Sequence, residues 1–173
     1  MIYAGNPDCY LPRPNFMNDT LELDFSLTPC APNGPCGTHH TKADAIIAMR
    51  ELQQFIGRSQ LSCVGDLCRG EEKQFYFDKM CELAGIVRKM PKTYEQRVKD
   101  PMAFLHYFTG SADFYITEKD MDCPDSPGQH QAYGLADLYH DGGEIGYISI
   151  VELLANGAEL DFHFTPKPLS AVR

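Results

Sequence analysis

The last third of the chain restricts its fold more than any other stretch. Four short segments crowd into Ala132–Phe164: Ala132–Leu138, Gly143–Ile148, Ser149–Leu154 and Glu159–Phe164. The turn signals Asp141-Gly142-Gly143 and Asn156-Gly157 separate them, and Asx-Gly pairs favour tight reversals over continued helix or strand. In the final segment Leu160, Phe162 and Phe164 alternate with Asp161 and His163, the period of a half-buried strand. Ser149 stands three residues before Glu152, a capping-box spacing that opens a helix. The order predicted is strand, turn, strand, short helix, strand.

Upstream, Ala103–Phe108 and Ala112–Lys119 flank Gly110-Ser111 and read as a hairpin. Phe114 and Ile116 are expected on one face, with Asp113, Tyr115 and Thr117 on the other. Asp120–Gln131 is polar and rich in Pro, Gly and Asp, a loop whose tip is expected to move more than its flanks. Before the hairpin, Thr41 caps a helix with Asp44 at the N3 position, and apolar residues from Ala45 to Ile56 follow helical spacing up to Gly57. Leu61–Leu67 reads as a link or one further turn. A second helix runs from Gly70 to Met90, with Glu71 and Glu72 at its positive end and Arg88 and Lys89 at its negative end.

The first forty residues hold Pro7, Pro12, Pro14, Pro29, Pro32 and Pro35, half of the chain's prolines. Proline lacks the N–H that helix interiors and central strands need. This arm is expected to be irregular, with one possible strand at Thr20–Leu27. The expected architecture is therefore α+β in two layers: a mainly antiparallel sheet of four to five strands packed against two helices, with a short inserted helix. Residues 1–40 form the arm, 41–100 the helical layer and 101–173 the sheet, with 41–173 as one compact domain.

Charge is unevenly spread. Residues 101–173 carry eleven acids and three bases, while the whole chain is −9. Such a surface repels phosphate backbones, so direct nucleic-acid binding is disfavoured and a basic protein or nucleoprotein partner is suited. Arg88, Lys89, Lys92, Arg97 and Lys99 are the best candidates for a cationic patch. There is no run of 18 apolar residues and no leader-like N-terminus, so a cytoplasmic location without a membrane span is expected. Seven cysteines, Cys9, Cys30, Cys36, Cys63, Cys68, Cys81 and Cys123, are many for that compartment and too few for a disulfide scaffold.

Two constellations carry candidate chemistry. Cys30, Cys36, His39 and His40 offer thiols and imidazoles that zinc accepts, at a spacing that matches no common finger or ribbon; a disulfide and a turn with free thiols are the other readings. With no other cofactor expected, zinc is the one considered. Asp161 and His163, two apart on one expected strand face, are the catalytic candidates, with His106, Tyr107, Tyr115, Glu118 and Glu144 on neighbouring elements. Cys63, Cys68 or Cys81 would serve as nucleophile only beside a histidine.

Asp113-Phe-Tyr-Ile-Thr-Glu, Gln131-Ala-Tyr-Gly-Leu-Ala-Asp-Leu, Glu144-Ile-Gly-Tyr-Ile-Ser-Ile-Val-Glu-Leu and Glu159-Leu-Asp-Phe-His-Phe-Thr-Pro together resemble a family of small uncharacterised domains borne by plasmids, integrated elements and phages. Arg69-Gly-Glu-Glu and Met90-Pro-Lys-Thr-Tyr-Glu are similar to longer members, while the cysteine-rich arm departs from the pattern. The resemblance brings no active site with it. It implies an accessory role: a non-enzymatic acidic protein that binds a basic host or defence complex and modulates or blocks it. The alternatives from the residues themselves are a small hydrolase or transferase with a His/Asp-lined cleft, and a zinc-stabilised adaptor.

Overall fold

Thr41 starts the first helix as its spacing predicts. In the computed structural model, which describes residues 39–95, 98–121 and 123–172, the Thr41 hydroxyl accepts from the Asp44 N–H, and the Asp44 carboxylate accepts the Thr41 N–H at 2.8 Å. The arm before it, with Cys30, Cys36 and the expected strand at Thr20–Leu27, lies outside the described residues.

Helix α1 (Lys42–Leu52) ends earlier than expected. The N–H groups of Phe55 and Ile56 both bond the Leu52 carbonyl, and this tight turn uses the apolar residues that had looked helical. Gly57 then serves as the N-cap of α2 (Arg58–Leu67), a full helix where the sequence suggested a link. Its weak signal has a simple cause: Val64 is its only buried residue, so no stripe is needed. Helix α3 (Lys73–Lys89) begins after Glu71 and Glu72, which therefore fall outside its first turn, while Arg88 and Lys89 do close it. Phe77, Met80, Leu83, Ala84 and Val87 form its buried stripe, and Phe75 is exposed.

The strands are β1 (Met102–Ala103), β2 (Leu105–Thr109), β3 (Ala112–Glu118), β4 (Ala132–Asp137), β5 (Glu144–Ile148), β6 (Glu159–Leu160) and β7 (Lys167–Pro168), with α4 (Ile150–Ala155) between β5 and β6. Five form one antiparallel sheet in the order β5-β4-β3-β2-β6, and β1 pairs with β7 separately. This is the expected two-layer α+β fold with its short inserted helix, extended by a third main helix and a second, two-stranded sheet.

Period-two alternation decides which side chains face the helices. Leu105, Tyr107, Phe114, Ile116, Ala132, Ile148 and Leu160 join Leu52, Met80 and Leu83 in one apolar core. Tyr107 is completely buried and its hydroxyl donates to the Phe55 carbonyl at 2.7 Å, so the most enclosed phenol has a partner. The alternate residues His106, Tyr115 and Leu135 stand on the other face. There the chain after β6 folds back: Leu169 is buried with Ala103 and Leu135, and Phe164 packs on Tyr115.

The closing strand is shorter than its alternation promised. It stops at Leu160 because the Asp161 carboxylate accepts the His163 N–H at 2.9 Å, an Asx-type turn that competes with ladder pairing. Asp161 and His163 thus do not share a strand face. The base of the 120–131 loop is tied, since Asp120 accepts the N–H groups of His130 and Gln131 at 2.9 and 2.7 Å. Among the described residues no helix is long and apolar enough to cross a membrane.

Candidate functional site: a chain of carboxylates and imidazoles

Strand β2 places His106 on the sheet face away from the core, and the hairpin register sets Tyr115 opposite it and Asp113 two residues along. The His106 ring stacks on Tyr115 at 4.6 Å between centroids and is flanked by Phe164 at 5.6 Å. Only 15% of its side chain is exposed. Its Nε2 lies 2.8 Å from Asp113 Oδ1 and its Nδ1 lies 3.2 Å from Asp161 Oδ2. Both ring nitrogens thus face carboxylate oxygens.

The second oxygen of Asp113 continues the chain. Asp113 Oδ2 lies 3.3 Å from Nδ1 of His140, just after β4. His140 is 62% exposed and has a positive φ of 56°. Histidine enters that left-handed region more readily than most residues, yet a non-glycine residue there is uncommon and such positions concentrate at functional sites. The order is Asp161–His106–Asp113–His140, alternating acid and imidazole from the half-buried end to the surface. The Asp113–His140 approach is an N···O contact rather than a hydrogen bond, and most of the His140 side chain is open to solvent.

The surroundings are negative. Desolvation first, then the charges of Asp113, Asp137 and Asp161, push the Tyr115 phenol above its ordinary range. Asp113 and Asp137 sit directly opposite each other across β3 and β4, a like-charge pairing that costs stability unless something offsets it. The His106 and His140 rings both lie against Asp113 there.

Of the residues proposed from sequence, His106, Asp161 and Tyr115 come together. His163 does not join them: it is exposed and its ring stacks on Phe75 at 6.3 Å. Glu118 is buried elsewhere, accepting the N–H of Tyr94, which has a φ of 74°. Tyr107 faces the core, and Glu144 opens β5. Sequence reasoning misses Asp113 and His140 as site residues: the alternation along β3 puts Asp113 on the face of Tyr115, while His140 lies in a turn before Gly142 and Gly143 with no periodic signal.

Cys63, Cys68 and Cys81 are free thiols, and burial pushes Cys68 and Cys81 up, away from thiolate chemistry. His40 uses its backbone N–H on Asp78 at 2.8 Å. Among the described residues no group of three or more His, Cys, Asp or Glu side chains could hold a metal ion. Within the expected cationic patch, Arg88 is engaged by Glu51 in a two-pronged pair at 2.7 and 2.9 Å, and Arg97 lies outside the described residues. No protein-family model, curated protein or solved structure matches this sequence.

Proposed function

We propose that the chain carries an acid–base site and acts as a small hydrolase or transferase, with His140 as its reactive group. The carrying observation is the continuous order Asp161–His106–Asp113–His140. His140 Nε2 takes a proton from an attacking water or hydroxyl as the new bond forms. It then returns that proton to the leaving group, so the histidine is restored each cycle. Asp113 fixes the His140 ring, and His106 with Asp161 holds Asp113. The negative surroundings of Tyr115 favour a neutral or cationic substrate over a phosphate ester.

The test is turnover of a panel of chromogenic esters, amides and glycosides by the whole chain. Activity that falls by about a hundredfold or more in His140→Gln, and falls similarly in Asp113→Asn, supports the site. Activity unchanged in His140→Gln sinks it.

A second reading has its own observation. Tyr139 is 79% exposed, with Leu138 and Phe108 also open to solvent on the same end of the sheet as Asp137, Asp141 and Glu144. An acidic rim around exposed aromatic surface suits docking on a basic protein, as an accessory factor of a mobile element would require. Charge reversal at Asp141 and Glu144 should then abolish capture of a basic partner while leaving turnover intact. Capture that survives the reversal overturns this reading.

A further inference from the structure

The two edges of the five-stranded sheet are treated differently. At β6 the outward backbone of Leu160 is already claimed: Gln60 Nε2 donates to its carbonyl at 2.8 Å, and its N–H donates to Gln60 Oε1 at 3.1 Å. One side chain therefore blocks that edge, a known way of preventing strand addition.

The β5 edge has no such cover among the described residues. The Asp161 N–H bonds the His106 carbonyl, so His106 turns its backbone towards β6 and Tyr107 turns towards β3. That alternation, carried through the paired residues Tyr107–Phe114, Tyr115–Leu135 and Gly134–Gly146, directs the Gly146 backbone at β4. Ile145 and Tyr147 then point their N–H and C=O groups away from the sheet. Ile145 is also 45% exposed.

We infer that β5 is a strand-pairing edge whose occupant is β5 of a second copy of this chain, in an antiparallel two-fold dimer centred on Gly146. The strand is self-complementary in that register. Ile145 falls opposite the partner's Tyr147, and the two residues exchange both backbone bonds; the symmetric pair repeats this. Gly146 faces its own counterpart at the close, non-hydrogen-bonded position, where Cα atoms approach to about 4.5 Å. A Cβ at Gly146 would touch nothing within its own chain, its φ is not positive and the register through it is regular. Gly146 therefore places no side chain at the two-fold point. Glu144 falls opposite Ile148, so the −9 chain brings no carboxylates face to face at the seam.

Sedimentation velocity of the full chain, from micromolar to millimolar concentration, tests this. The expected result is a dimer that dissociates on dilution. Ile145→Pro removes an outward donor without taking a bond from the β4 ladder, and Ile145→Lys places a charge on the edge. Each should weaken the dimer by about tenfold or more, with circular dichroism melts showing that the monomer still folds. A chain that is monomeric throughout, or a dimer unaffected by the lysine variant, overturns the proposal. Activity at His140 is a separate readout, since His140 is no part of strand β5.

Discussion

A single oxygen atom separates a four-residue chain of acids and imidazoles from an isolated pair at this sheet. Asp113 uses Oδ1 for His106 and Oδ2 for His140, so Asp113→Asn loses an anion between two imidazoles. Tyr107 shows the other side of polar burial. Tyr107→Phe removes its hydrogen bond to Phe55 and should cost about 1 kcal/mol in urea unfolding. Burial alone pushes its phenol well above the ordinary range. The folded chain therefore keeps this proton when the unfolded chain releases it. Stability is fully present below the unfolded phenol value of about 10 and is lost as pH rises above it. Tyr107→Phe should flatten that alkaline fall, measured as melting temperature against pH. Gly134 is constrained by contact: a Cβ there would lie 2.1 Å from the Tyr115 carbonyl oxygen. Backbone cannot move aside as a flexible side chain can, so Gly134→Ala should destabilise by about 3 kcal/mol.

Elements are held to one another by few but specific groups. Gln60, on a helix that contributes only Val64 to the interior, binds both backbone groups of Leu160 across a separation of a hundred residues. Gln60→Ala leaves a donor and an acceptor without that partner at a half-covered site. It should cost about 2 kcal/mol and speed amide exchange at Leu160 more than at Ile116. Equal exchange at both would show that α2 does not secure β6. The end of β6 shows how local chemistry can override a periodic pattern. Asp161 spends one oxygen on the His163 N–H and the other on the His106 ring. It therefore ends the strand and anchors the site in the same residue.

At the scale of the whole molecule the sheet has two differently used faces. One is buried under α1 and α3, and the other is crossed by the segment after β6, where Leu169 covers Leu135 and Ala103. Removing residues 165–173 should uncover that second, smaller core. It should also free Phe164 from the backbone that follows it, and so loosen the packing around His106. A lower melting temperature with loss of the His106–Tyr115 ring-current shifts in NMR checks this. An unchanged histidine spectrum would place the support of the site in β2 and β3 alone.

The sequence by itself determined most element types, with α2 and the β1–β7 pair as exceptions: period-two alternation in the β2–β3 hairpin, the caps at Thr41 and Ser149, and the Gly-rich reversals all act between near neighbours, so a linear reading reaches them. The same alternation placed Asp113 and Tyr115 on one face of β3. Only the tertiary structure decided that Asp161 turns back onto His106, that His140 meets Asp113, and that His163 leaves for Phe75. The physical reason is distance along the chain. Contacts that join residues 27 or 55 positions apart depend on strand order and on where a strand ends, and neither leaves a periodic mark in the residues concerned.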